Sequence, residues 1–402
     1  MSKAKVLLIA WDLNPLRGSE AGVAHSYLRI YLKHFSIDVY TYDSHKSNIM
    51  KYNYGKNVTF HFIKYTYWDR LCWRLRLELV GNWLFSRRAR IDIMNNNRGE
   101  YRFMHIVTPA GYYAFSRIHK TDIRYILGPI NGGLKTPGNI VRISPRDWIS
   151  DRIRDVTYKT ITFFPGWRNY YKKARIIIVS DNMLLIKLQS ITQMNGTVIF
   201  DTMVEPSLFR PSNNKKRTGD IVLLFSGRLV PMKGIGLLLN AFKECIENLQ
   251  MHNLKLRIAG TGSLKSFVEK FISDNCYQDR IQILGYLDRE SLIKEYQSAD
   301  IFCLPTLREP GGTAILEAMS CGLPVVTSDY GGPTVTVTER CGFKIPIQSG
   351  DQYIKDMVKA IHILYMDSGL RLEMGRNARE RVVHEFSLEN VERELIKIWS
   401  NL

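Results

Sequence analysis

The chain has 402 residues, 45% of them hydrophobic and 23% charged, a balance that excludes a disordered chain and a length that exceeds one ordinary core, so two domains are expected. No stretch approaches a membrane span, and the apolar start VLLIA is short and followed by Asp12, which marks a first buried strand rather than a signal peptide. The net charge of +18 is one-sided: through residue 200 there are 31 Lys and Arg against 13 Asp and Glu, whereas the remainder holds 25 of each.

Such asymmetry suits a first half that meets polyanions, whether nucleic acid, anionic lipid or an acidic substrate. Six cysteines stand at scattered positions without metal-ligand or redox spacing. They fit buried thiols in a reducing cytoplasm.

Short apolar runs alternate with helical patterns from end to end, which predicts an α/β protein with parallel sheets built from βαβ units. In the first half the expected strands are VLLIA, IDVYTY near Val39, VTFHFI near Phe60, FMHIV near His105, RYIL near Ile126, RIIIVS near Ile177 and TVIF near Val198. In the second they are IVLLFSG, LKLRIAG, IQILGY, ADIFCLP and LPVVTS. The polar, proline-bearing PSLFRPSNNKKRTGD between them is the expected linker.

In the first half, PLRGSEAGVAHSYL places Gly18, Ser19 and Glu20 after the first strand, and GPINGG carries Gly132 and Gly133 after another. IAGTGS follows a strand in the second half. Taken singly, each glycine turn is better explained by tight-turn geometry than by a ligand loop, because strand-to-helix turns favour glycine regardless of function. Their shared position after strands is what makes a common cleft plausible.

KYTYWDRLCWRLRLELVGNWLFSRRARI interleaves arginines with Trp68, Trp73 and Trp83, and its apolar residues at 68, 72, 75, 79 and 83 keep a helical period that predicts a core-facing stripe. A second basic, aromatic stretch runs from Arg146 to Arg175 and includes Trp148, Phe163, Phe164, Trp167, Tyr170 and Tyr171. Two such stretches suit a surface that lies on anionic headgroups. No nucleic-acid motif accompanies the charge.

SGRLVPMKGI sets Arg228 and Lys233 around a proline at a helix start, where the helix dipole disfavours cations and a bound anion would relieve them. In REPGGTAILEAMSCGLPVV, Glu309 precedes a glycine loop at a helix N-terminus, and Glu317 lies about one turn inside that helix, which Gly322 stops. Backbone N–H groups there suit a phosphate, and two carboxylates suit hydroxyls. A phosphorylated sugar is the ligand described.

SGRLVPMKG, AGTGSL, GYLDRESL, ADIFCLPT and REPGGTAILEAMSCGLPVV, in that order, resemble the nucleotide-sugar domain of glycosyltransferase family 4. The strong likeness covers about residues 221–345; RGSEAG, the MHIVTP strand end and GPINGG resemble the family more weakly. The resemblance implies the GT-B fold, two Rossmann-like domains facing across a cleft: residues 1–205 for the acceptor, 206–380 for the nucleotide sugar, and a final helix in 381–402 crossing back to the first domain. It implies retaining transfer from a UDP- or GDP-sugar, without a metal or other cofactor, to a glycan or lipid-linked saccharide in cell-surface polysaccharide, lipopolysaccharide or capsule synthesis. In that picture Arg228 and Lys233 hold the diphosphate, and Glu309 with the N–H groups of Gly311, Gly312 and Thr313 holds sugar and phosphate. Glu317 takes the ribose, and Gly285 with Tyr286 lies against the base. Gly18 lets backbone approach the diphosphate or acceptor, with Ser19, Glu20, His105, Gly132 and Gly133 on the acceptor side.

Two positions depart from the family pattern. Val107 stands where many members carry a second histidine, and Asp201 and Thr202 replace the usual Asn-Gly before the linker. The expected setting is cytoplasmic, peripheral to the inner face of an anionic membrane, without nucleic acid. The alternatives are a GT-B-like nucleotide-sugar epimerase and a non-catalytic scaffold that binds an anionic partner.

Overall fold

The computed structural model describes residues 3–15, 19–75, 77–96, 101–134, 137, 152–153, 156–157, 160–212 and 219–402. The chain forms two compact units. One comprises residues through Gly133, Arg152–Met203 and Val391–Leu402; the other comprises Leu134 and Val204–Asn390.

In the first unit, β1 (Lys5–Ala10), β2 (Ser36–Tyr42), β3 (Val58–Ile63), β4 (Met104–Thr108), β5 (Tyr125–Ile130), β6 (Ile176–Val179) and β7 (Gly196–Val198) form a seven-stranded sheet in the order β3-β2-β1-β4-β5-β6-β7. Every pairing is parallel; Leu8 faces Val39 on one side and His105 on the other. Covered on both faces, its central strands must be apolar without alternation, and β4 is buried at every residue.

The second unit carries β8 (Ile221–Ser226), β9 (Leu254–Ala259), β10 (Ile281–Gly285), β11 (Ile301–Leu304), β12 (Val325–Ser328) and β13 (Gly342–Ile345), all parallel, in the order β10-β9-β8-β11-β12-β13. All strands expected from the sequence are present. β13, GFKI, has no expected counterpart, because it is short, lies at the sheet edge and alternates only weakly in burial. In each sheet the strand order reverses once, between β1 and β4 and between β8 and β11. Loops leaving the carboxyl ends of those strands diverge and open a crevice.

The structure corrects the helical stripe expected through residues 68–83. Helices Tyr67–Arg74 and Glu78–Asn96 are separate, and Trp68 and Leu75 are exposed while Cys72 is buried. The first helix is anchored by its polar face instead. Asp69, buried, accepts from Tyr42 Oη at 2.7 Å and from the Thr66 N–H at 2.7 Å, and pairs with Arg88. A buried, well-partnered carboxylate outranked the apolar period.

A second correction concerns the aromatics after residue 160. Trp167, Tyr170 and Tyr171 belong to the core, and Trp167 Nε1 and Tyr171 Oη both donate to the Tyr112 carbonyl at 2.8 Å. Phe163 and Phe164 are exposed, and Trp148 lies outside the described residues.

The segment 381–402 is not one helix. It holds the end of Ser368–Glu385, a break at Phe386 and Ser387, and the helix Leu388–Ser400. From Val391 onward the chain belongs to the first unit, where Glu392 bridges Lys33 and His34 and Trp399 packs edge-on against Tyr31 (4.7 Å between ring centroids) and Phe35 (5.0 Å). Burial of a tryptophan among aromatics dominates that contact. Trp399→Ala is therefore expected to lower first-unit stability by about 3 kcal/mol, and exposed Lys397→Ala by less than about 0.5. Urea unfolding followed by circular dichroism measures both; equal, small shifts would contradict the assignment.

Candidate active site

At the carboxyl end of β8 the chain turns through Gly227 and Arg228 into the single turn Pro231–Lys233, then into the helix Ile235–Glu247. Leu229, buried, pins this loop through Leu229 N–H to Thr261 O at 2.9 Å and Leu264 N–H to Leu229 O at 2.9 Å. The IAGTGS turn supplies that support. A Cβ on Gly260 would lie 1.9 Å from Gly227 O and one on Gly262 2.4 Å from Leu229 O, so these glycines serve close backbone packing.

The loop after β11 is stitched to the same place. Met232 O accepts from Leu307 N–H at 2.8 Å and from Thr306 Oγ1 at 3.2 Å. Gly234, at φ +68°, admits Pro305 O where a Cβ would sit at 2.0 Å. Two loops separated by some seventy residues of sequence are thus one surface, and across it Lys233 Nζ pairs with Glu309 Oε2.

Glu309 is held from three directions. Its Oε1 accepts from Gly312 N–H at 3.3 Å, its carbonyl accepts from Gly332 N–H at 2.7 Å, and Lys233 takes the other carboxylate oxygen. Gly312, at φ +81°, is the N-cap of the helix Thr313–Ser320 and provides no side-chain cap. First-turn amides therefore keep their capacity for an anion beside Lys233. Gly311 and Gly312 are buried, Thr313 is half-buried, and Arg228 is exposed at the edge.

Glu317, on that helix, is half-buried, and burial pushes its carboxyl up to about 7 from 4.5. Tyr296 Oη donates to Glu317 Oε2 at 3.0 Å. Tyr296 is fully buried and also bonds the Ser226 side chain at the end of β8, so a Ser226–Tyr296–Glu317 chain fixes the carboxylate. Sequence reasoning missed Tyr296 and Ser226. Ser226 opens the SGRLVPMKGI stretch but was given no role, Tyr296 lies outside the quoted stretches, and only the fold brings the helix Arg289–Ser298 beneath Glu317.

Gly285 adopts φ +71° at the end of β10, and its carbonyl accepts from Gly260 N–H at 2.7 Å. Tyr286, which follows, is 78% exposed. Since β9 separates β10 from β8, the turn stands two strands from Arg228.

In the first unit the ends of β1, β4 and β5 converge. Glu20, in the first turn of the helix Ser19–His34, accepts from Ala110 N–H; Ala110 O accepts from Asn131 N–H at 2.7 Å; Asn131 Nδ2 donates to Asp201 Oδ2 at 2.7 Å. Burial pushes Glu20 up to about 7, and the charges of Asp12, Glu78 and Asp201 add to the rise. Asp201, itself buried, thus has a half-buried partner in the loop after β5, which its departure from the family pattern did not reveal. Gly132 and Gly133 continue this loop at φ +108° and +85°. Gly18 lies outside the described residues, as does the Ser19 side chain.

His105 is fully buried on β4. Its Nε2–H donates to Gly128 O at 2.7 Å, which leaves Nδ1 to accept from Tyr31 Oη at 2.6 Å, and Trp399 Nε1 donates to that same hydroxyl at 3.1 Å. Burial pushes the imidazole down to about 3. His105 is a neutral link between core strands and the last helix, with both ring nitrogens occupied.

Residues 209–381 match the family model described as glycosyl transferases group 1. The chain is 32% identical over 183 residues, 44% of each chain, to an uncharacterized glycosyltransferase of Methanocaldococcus jannaschii. It is 29% identical over 219 residues, 52% of this chain and 54% of the relative, to the UDP-Gal:alpha-D-GlcNAc-diphosphoundecaprenol alpha-1,3-galactosyltransferase of Escherichia coli. The chain spans about half the length of the curated relatives it matches. Over 99% of both chains it superimposes on sucrose-phosphate synthase from Thermosynechococcus elongatus, with a TM-score of 0.72 at 18% identity. That likeness shows the fold: the two parallel-sheet units are those of GT-B proteins.

Glu317 has a folded-state value above its unfolded one, so its contribution to stability is complete below about 4.5 and is lost as pH rises through about 7. Glu317→Gln should leave melting near pH 4.5 unchanged and raise it relative to wild type at pH 8. Tyr296→Phe, which removes a donor to the charged form, should cost about 1 kcal/mol at pH 8 and less at pH 5. Thermal melts across this range check both; pH-independent differences would contradict the assignment.

Proposed function

We propose that the chain is a retaining glycosyltransferase of family 4 that moves a hexosyl unit from a UDP- or GDP-sugar to a glycan or lipid-linked saccharide acceptor, in the assembly of cell-surface polysaccharide. The observation that carries this is the Lys233–Glu309 pair at the start of the helix Thr313–Ser320, whose N-cap Gly312 offers no capping side chain. One small surface there offers a cation, an anion-binding helix end and a carboxylate for hydroxyls.

Without donor, Lys233 and Glu309 neutralise each other. A diphosphate seated on the first-turn amides competes for the ammonium and releases the carboxylate to the sugar hydroxyls. Arg228 and Lys233 then stabilise negative charge as it develops on the leaving diphosphate, an effect worth several kcal/mol per group in a preorganised site. No metal is required in this scheme, since the two cations supply the charge. Glu317, held by Tyr296, accepts the ribose hydroxyls, and Tyr286 offers its exposed ring to the base.

The acceptor belongs to the first unit, where Glu20, Gly132 and Gly133 surround the ends of β1, β4 and β5. The E. coli relative named above uses a UDP-sugar and a diphosphoundecaprenol-linked acceptor by its name, which supports this class of donor and acceptor. Among the described residues no helix is long and apolar enough to cross a membrane. We assign the protein to the cytoplasmic face of an anionic membrane, held peripherally.

Lys233→Ala and Glu309→Ala are each expected to lower kcat/KM by roughly a hundredfold or more, with melting temperatures close to wild type because both groups are half-buried at a solvated surface. Turnover is read first as slow hydrolysis of a nucleotide sugar by the pure protein. Undiminished turnover in either variant would remove that residue from the mechanism. An isomerised donor would point to an epimerase, and no turnover with any nucleotide sugar to a scaffold.

A further inference from the structure

The helix Tyr67–Arg74 carries its largest apolar side chains outside. Its buried residues are Cys72 and Asp69, the latter held by Tyr42, Thr66 and Arg88, and Arg88 Nη1 donates to Lys64 O at 2.9 Å. Trp68 and Trp73 flank these two buried positions, 63% and 79% exposed, and Tyr67 is in edge contact with Trp68 at 5.9 Å. Leu75 and Leu77 continue this exposed apolar run. Large apolar side chains aimed at water on a rigid, buried anchor call for a covering phase.

The surrounding charge names that phase. Lys64, Arg70 and Arg74 are exposed, and the acid of this helix, Asp69, is buried. A second exposed aromatic pair stands nearby in the fold. Phe164 packs on Phe115 at 5.3 Å, and the Phe115 carbonyl accepts from Asn82 Nδ2 at 2.7 Å on the adjoining helix Glu78–Asn96. Phe163 is 73% exposed, with Arg168 over its ring at 5.9 Å. Lys172, Lys173 and Arg175 follow, exposed, with no acid between residues 160 and 175. Nucleic-acid binding would also use the cations, but exposed Leu75 and Leu77 beside the rings add aliphatic surface that base stacking does not use. Bulky rings and leucines fringed by lysine and arginine suit the headgroup–acyl boundary of an anionic bilayer.

We propose that Trp68 and Trp73, with Phe163, insert into the interfacial layer of an anionic membrane while Lys64, Arg70, Arg74 and Arg168 engage its headgroups. This deepens the proposed function by naming the face that meets the membrane. Only the delivery of a lipid-linked acceptor rests on the transferase reading; the lipid contact does not.

The test is co-sedimentation of the whole chain with vesicles of phosphatidylcholine alone or of phosphatidylcholine with phosphatidylglycerol, alongside nucleotide-sugar hydrolysis in solution. Wild type should bind the anionic vesicles, with a blue shift of tryptophan emission, and release in high salt. Trp68→Ser/Trp73→Ser should weaken partitioning by about tenfold or more, and Arg70→Gln/Arg74→Gln should reduce binding to anionic vesicles without improving it on neutral ones. Both pairs are exposed, so melting and hydrolysis should match wild type. Equal vesicle binding by wild type and the tryptophan variant would overturn the proposal, as would retention on single-stranded DNA without vesicle binding. Vesicle binding that persists when no form hydrolyses a nucleotide sugar would overturn the transferase reading and leave the membrane face standing.

Discussion

The candidate donor site depends on one backbone constraint, the convergence of the loops after β8 and β11 on the Met232 carbonyl. Parallel strands at a reversal of sheet order send their following chains to opposite faces, so the space between their ends is left for a ligand. Leu307 and Thr306 close the floor of that space on Met232, and Gly234 lets Pro305 approach. Everything chemical follows from this stitch. Lys233 and Glu309 meet across it, and the amides of the helix Thr313–Ser320 face the place where they meet.

The electrostatics of the site suit the proposed ligand, which has both charge and hydroxyls. A lone lysine beside a helix N-terminus is disfavoured by the dipole, and Glu309 compensates it. Glu317 carries the opposite problem: burial works against its ionised form, and the Tyr296 hydroxyl, steadied by Ser226, partly offsets that cost. Glu309 is held at both oxygens, by Lys233 and by the Gly312 N–H, whereas the Tyr296 hydroxyl holds Glu317 at Oε2.

Much of this was legible in the sequence, for identifiable reasons. Strands buried on both faces announce themselves as unbroken apolar runs, and glycine loops that open helices mark strand ends, so Arg228, Lys233, Glu309 and Glu317 could be placed before any coordinates. What the sequence hid were contacts made by single residues from distant segments. Tyr296 supports Glu317 from beyond the quoted GYLDRESL stretch, and Asp201 meets Asn131 from seventy residues further along the first unit. The apolar period at 68–83 misled because period records only where apolar side chains repeat; the buried Asp69 network decided which face turned inward. His105, at a strand end where chemistry is common, proved to be closed off by two good hydrogen bonds.

The central claim is that Arg228, Lys233 and the amides at Gly312–Thr313 form a diphosphate site that needs no metal ion. Calorimetric titration of the whole chain with UDP and with GDP, in EDTA, tests it most directly. Saturable binding of one nucleotide, much weaker for the corresponding monophosphate and lost in Arg228→Ala/Lys233→Ala, is the result the account predicts. Binding that appears only when a divalent cation is added, or that survives the double substitution, would contradict it.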